Sequence, residues 1–143
     1  EYLVASISLP KALKIETLDD CEIVPIFGEG KDSINKFCKI LKGWGVDFYI
    51  ICDADTCEPK KNNKLLIDEE FRERCTVISG DLKDTYDYLK ENYKSEFDEC
   101  EKDLSFYREK EVPVSRCILQ KIPPPPPIKK LADQIKERVK CTA

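Results

Sequence analysis

The run Val46 to Cys52 (VDFYIIC) is nearly all apolar and β-prone, and it stops abruptly on Asp53-Ala54-Asp55. A stretch this short and this apolar reads as a strand covered on both faces, which only a layered sheet supplies. Elements of the opposite period surround it. Ser33 to Lys42 places Ile34, Phe37, Cys38, Ile40 and Leu41 at helical spacing, Asp32 or Ser33 caps it, and Gly43 and Gly45 stop it. Upstream, Glu22 to Phe27 (EIVPIF) reads as a strand in which Pro25 marks an edge or a bulge, followed by a turn at Gly28-Glu29-Gly30-Lys31. Tyr2 to Leu13 carries a helical apolar face that Pro10 should kink or end.

Downstream, a polar loop from Thr56 to Lys64 leads to a short helix near Ile67 to Arg72. A strand at Cys75-Thr76-Val77-Ile78 follows, then the loop Ser79-Gly80-Asp81 and a helix from about Lys83 to Tyr93. Residues Ser95 to Glu111 are charged and partly helical. Pro123 to Pro127 are five consecutive prolines, expected as an extended polyproline II spacer. A last helix spans Ile128 to Val139, with Ile128, Leu131, Ile135 and Val139 in register. Helix and strand alternate, so the expected class is α/β with a mainly parallel sheet flanked by helices and a helical C-terminal tail. Residues 1–95 form the expected catalytic domain and 96–143 the extension.

Composition closes several routes. The 143 residues carry 24 Lys+Arg, 28 Asp+Glu and no His, for a net charge of −4. Without His, Ser-His-Asp and Cys-His chemistry and His-ligated zinc are excluded. No apolar run reaches the roughly 18–20 residues that span a bilayer. No secretion signal opens the chain, and with no Met it reads as a fragment of a longer protein. The eight cysteines include no C-x-x-C pair. Cys38, Cys52 and Cys117 sit among apolar residues and read as small buried hydrophobes in a reducing cytoplasm.

The chemistry is expected at the strand ends. In a parallel sheet, ligands gather at the carboxyl ends of the strands. Asp53 and Asp55, two residues apart on an extended segment, point the same way. Two carboxylates so close repel, and a divalent cation with a preference for hard oxygen relieves them: magnesium, manganese or calcium. The second acidic loop, Gly80-Asp81-Leu82-Lys83-Asp84, opens on the same face. The amides of Gly28-Glu29-Gly30-Lys31 suit a phosphate.

These residues resemble a known domain. Ile23 to Asp55 runs strand, Gly-x-Gly-Lys, helix, Gly-Val, apolar strand, Asp-x-Asp, which is similar to the Toprim domain of topoisomerases, bacterial-type primases and several nucleases. It looks most like the overcoming-lysogenisation-defect (OLD) family nucleases of phage-defence systems. Ser79-Gly80-Asp81-Leu82-Lys83-Asp84 resembles that family's "G-D/S-L-E-D" segment, with Lys83 where the family has an acid. The family's leading Glu-Gly strand is absent, and Glu1 fits its second acid. The resemblance covers residues 1 to 90.

The resemblance implies a DNA endonuclease that hydrolyses phosphodiester bonds with one or two Mg2+ or Mn2+ ions. Glu1, Asp53, Asp55, Asp81 and Asp84 would hold the metal. Lys121, or Lys129 after it, would stabilise the charge on the phosphate. ATP would act only through an ABC-type ATPase domain outside this chain. DNA, that ATPase and a second copy are the implied partners, and no membrane is. A net acidic chain is not what DNA binding favours. Charge is uneven, however: acids outnumber bases thirteen to six from Asp68 to Asp103, and bases outnumber acids six to two from Lys121 to Lys140. Lys31, Lys60, Lys61, Lys64, Lys129 and Lys130 are the candidate phosphate contacts. The alternatives are a primase- or topoisomerase-type Toprim module, a receiver-like phosphoacceptor domain, and a non-catalytic interaction module.

Overall fold

The computed structural model describes residues 2–27, 31–53, 67–79, 82 and 84–140, with the side chains of Lys31 and Asp32 excepted. The first helical segment begins at Tyr2 and contains a π-helical turn, Val4–Ser8, before α1, Leu9–Leu13. The ring of Pro10 would strike the carbonyl four residues back in a regular α-helix. The chain widens instead, and the Leu9 amide donates to the Val4 carbonyl. The expected kink is thus a local change of pitch. A 3-10 turn, Leu18–Cys21, follows, closed by a reciprocal pair of bonds between Thr17 and Asp20.

Helix α2, Lys31–Gly43, ends in a Schellman motif. The Val46 amide donates to the Leu41 carbonyl at 2.9 Å and the Gly45 amide to Lys42 at 3.1 Å, with Gly45 at φ +69°. The expected stop at Gly43 and Gly45 is met by this geometry. Strand β1, Ile50–Cys52, pairs in parallel with β2, Cys75–Val77, in the register Ile50↔Cys75 and Cys52↔Val77. A 3-10 helix, Glu69–Arg74, leads into β2. The remaining helices are α3, Thr85–Asn92, α4, Lys94–Asp103, α5, Glu111–Lys121, and α6, Pro126–Arg138.

Both faces of the sheet are covered, as the apolar run predicts. Phe48, Ile50 and Cys52 on one face join Cys38 of α2, Ile67 and Phe71. Tyr49, Ile51 and Ile78 on the other join the main core of α1 and α3 to α6, in which Leu89, Val114, Ile118, Ile128 and Leu131 are fully or almost fully buried. Helix α6 packs on α1 and β2, and α4 on α5. One disulfide, Cys100–Cys117, joins α4 to α5.

Several expectations need correction. The molecule is mixed α/β but mostly helical, and its sheet has two strands among the described residues. Ile23 to Phe27 forms no strand: the Ile23 amide turns back to the Leu18 carbonyl at 3.1 Å, closing the 3-10 turn, and Pro25 has no amide to give. The buried strand is three residues long because only Ile50–Cys52 has a partner ladder. Glu111–Lys121 is a full helix the charged sequence did not advertise, with Pro113 tolerated in its first turn. The five prolines are not one spacer. Pro123 to Pro125 are extended, Pro125 is buried, and Pro126 opens α6 at a position where a missing amide costs nothing.

The cysteine reading is corrected too. Cys21, Cys52, Cys100 and Cys117 are disulfide-bonded, so burial at Cys52 and Cys117 reflects cross-linking as well as packing. Cys38 and Cys75 are free thiols. Burial pushes the Cys75 thiol up to about 11 and raises Cys38 as well, so both remain protonated and unreactive near neutral pH.

Candidate functional site at the strand ends

Both parallel strands finish at the same edge, where Asp53 follows β1 and Ile78-Ser79 follow β2. The Ile78 amide donates to the Cys52 carbonyl at 3.1 Å and carries the ladder up to Asp53. Across this edge stands the N-terminus of α3. Asp84 is its N-cap, accepting from the Asp87 amide at 2.9 Å. With the cap supplied by Asp84, the next hydroxyl is available for another partner. Thr85 Oγ1 donates to Asp53 Oδ1 at 2.8 Å. Strand end and helix start, 32 residues apart, thus meet through one bond at the expected position of the chemistry.

The described residues bring together Asp53 and Thr85, while the Asp84 carboxylate beside them is turned to the Asp87 amide. Glu1, Asp55, Asp81, Lys60, Lys61 and Lys64 lie outside the described residues, as do Gly28 to Gly30 and Lys83. Of Lys31 only the backbone is described, at the start of α2. Lys121 ends α5 and forms an ion pair with Glu99 of α4 at 2.8 Å, so its ammonium is directed to that helix pair. Lys129 and Lys130 are exposed near the start of α6. No group of three or more metal-ligating side chains occurs among the described residues. The donor chemistry of Asp53 fits a hard divalent cation, although one such carboxylate is fewer than such an ion requires.

A second polar cluster lies at the opposite end of β1. Asp47 accepts from Arg74 at 2.6 Å and from Arg138 at 2.8 Å, and Arg74 lies over the Phe48 ring at 4.7 Å. The Arg138 and Arg74 guanidiniums hold the Asp47 carboxyl below its usual range. Asp47 lies six residue steps before Asp53, about 20 Å along an extended chain. The cluster ties the end of α6 and the approach to β2 to the start of β1.

A broad apolar cleft of about 990 Å³ runs along β1, lined by Ile23–Phe27 and by Phe37, Leu41 and Ile135. Val24 is 78% exposed and Trp44 76%, with Ile26, Phe27, Ile40 and Val46 also open to solvent. Sequence reasoning missed Thr85 and the Asp47 pair of arginines. Asp84 before an apolar-periodic segment signals a cap, but nothing local marks the residue after it as a partner of Asp53.

Scans against protein-family models, curated proteins and solved structures give no match to this chain. No helix among the described residues is long and apolar enough to cross a membrane.

Proposed function

We propose that this chain is the Toprim-like part of a divalent-metal-dependent DNA endonuclease of the OLD type. The observation that carries the reading is the Asp53 carboxylate at the carboxyl end of a doubly covered parallel strand, fixed by Thr85 at the facing helix start. Asp53 would hold Mg2+ or Mn2+, with Asp55, Asp81, Asp84 and Glu1 as the further ligands the resemblance suggests. When bound, the cation would supply charge neutralisation at the scissile phosphate and an activated water. Asp53 and Thr85 orient oxygen ligands, and exposed Lys129 and Lys130 offer phosphate contacts that depend on salt. An ABC-type ATPase part and a second copy remain the proposed partners.

The test is manganese titration by calorimetry and plasmid cleavage, comparing the protein with Asp53→Ala. Binding and cleavage that vanish together support the reading. Cleavage retained by Asp53→Ala overturns it.

The exposed apolar side chains Val24, Ile26, Phe27 and Trp44 favour a second reading, a non-catalytic interaction module. Wild-type protein that binds no manganese would bring it forward. The cytoplasmic location expected from charge density competes with the cysteine pairing, which belongs to oxidising compartments. Thiol counting on protein isolated from its own source, without reductant, decides between them.

A further inference from the structure

We infer that this chain forms a two-fold dimer through its open apolar face, each copy setting Trp44 into the cleft of the other. The inference names the face for the second copy and stands whether or not the strand end takes a metal. Helix α2 shows why a face is left over. Ile34 and Cys38, four residues apart, turn inward to the smaller core cluster beside the sheet. Phe37, Ile40, Leu41 and Trp44 follow the spacing i, i+3, i+4, i+7 and form a second apolar stripe. Trp44 still belongs to it, because its amide donates to the Ile40 carbonyl at 3.0 Å. Phe37, Ile40 and Trp44 are exposed. One helix thus carries two apolar faces, and the fold buries only the inner one.

The stripe continues into the cleft. Phe37 and Leu41 line it together with Val24, Ile26 and Phe27, and Phe27 meets the Tyr2 ring edge-on at 4.6 Å. A whole aromatic side chain buries about 150–250 Å². At their exposures, Tyr2, Phe27, Phe37 and Trp44 offer on the order of 450 Å². Val24, Ile26, Ile40 and Val46 add roughly 200 Å². The total, roughly 650 Å², exceeds the about 300–600 Å² of the largest patch on an ordinary monomer. Homodimer interfaces are about 65% apolar, so covering this patch and its rim removes about 1,000 Å² per copy. A stable specific interface needs about 800 Å² per copy.

Shape and charge both suit a second copy. A two-fold contact uses one patch twice, so the patch must carry a projection as well as a recess. The recess is the cleft of about 990 Å³. The projection is Trp44, which stands outside the cleft lining, three residues beyond Leu41, and is the most exposed aromatic residue on this face. Tryptophans set into a partner's pocket are common anchors of interfaces. Two of the lysines flanking the stripe are already neutralised, Lys39 by Asp68 at 2.9 Å and Lys42 by Glu70. Two such faces can meet without the like-charge repulsion that opposes self-association. The same pairing disfavours nucleic acid here, since phosphate binding draws on unpaired lysines.

The experiment is sedimentation velocity of this chain over a range of concentrations, with circular dichroism confirming the fold. Wild type is expected to pass from the chain mass to twice that mass and to stop there. Trp44→Ser removes the projection, and Phe27→Glu places a charge in the recess. Each is expected to dimerise at least about 30-fold more weakly. Val112→Glu, at the exposed start of α5, is expected to match wild type. These side chains already meet water in the single molecule, so unfolding read at dilutions that separate the copies is expected to match wild type in every variant. The decisive sample mixes Trp44→Ser with Phe27→Glu. Neither variant can complete the contact with itself. The tryptophan of one and the cleft of the other are intact, so the mixture is expected to recover part of the dimer.

Wild type that stays single at every concentration overturns the inference and gives the face to a different partner. Mass that keeps growing past twice the chain overturns the two-fold arrangement. Trp44→Ser that dimerises like wild type overturns the role of the tryptophan, and a mixture that recovers nothing overturns the reciprocal contact.

Discussion

The two sides of the sheet are finished differently. Against one face, α1 and α3 to α6 bury Leu89, Val114, Ile118, Ile128 and Leu131, and a disulfide joins two of the helices. Against the other, α2 and the 3-10 segment cover the strand with a smaller cluster, while Val24, Ile26, Phe27, Ile40 and Trp44 stay open beside it. A helical hairpin closes its core from nearby sequence. A parallel strand pair depends on cover that arrives from distant parts of the chain. Packing on the helical side should therefore carry most of the stability, and the apolar side chains on the open side stay in contact with solvent.

The largest effect should separate the two sides directly. Ile128→Ala empties a site with no solvent exposure in α6 and is expected to cost about 2–5 kcal/mol in urea unfolding. Trp44→Ser, on the open side, is expected to stay within about 0.5 kcal/mol. Equal losses in the two variants would break the comparison. Next in size is the cross-link. Replacing Cys100 and Cys117 together by Ser is expected to cost about 2–4 kcal/mol, and a strong reductant, which also opens the bonds at Cys21 and Cys52, should cost the wild type at least as much. A reductant without effect would show that packing alone closes the helical side.

The smallest effect lies at the joint between the sides, where Asp47 holds Arg74 and Arg138. The folded pKa of Asp47 lies below its unfolded value. Its contribution is therefore complete above the unfolded value, near pH 4, and is lost as pH falls through the folded value. Asp47→Asn should lower stability slightly at neutral pH and flatten the acid limb of the stability profile. An unchanged acid limb would mean that α6 is held to the sheet by apolar packing alone.

How far the sequence could be read follows the same division. Local signals were reliable: the Gly43–Gly45 stop, the helical register of Ile128, Leu131 and Ile135, and the doubly buried character of Ile50 to Cys52. The position of Asp53 at a parallel strand end was legible because an apolar run stops there. Long-range pairings were not legible. Thr85 meets Asp53 across 32 residues, Asp47 meets Arg138 across 91, and neither partner carries a local mark. The strand expected at Glu22 to Phe27 failed for the same reason, since strand propensity cannot supply a neighbour to bond. The disulfide was missed because apolar neighbours around Cys117 describe a buried thiol and a buried cross-link equally well.

The Cys100–Cys117 bond also has a consequence for how the molecule would survive damage. It brackets the exposed turn from Leu104 to Lys110, where Phe106 and Tyr107 offer themselves to chymotrypsin-like proteases. A nick there would sever the backbone without parting the pieces. The protein would run as one species on a non-reducing gel and fall into two fragments only after reduction, so backbone continuity in this turn is dispensable for holding α4 and α5 together.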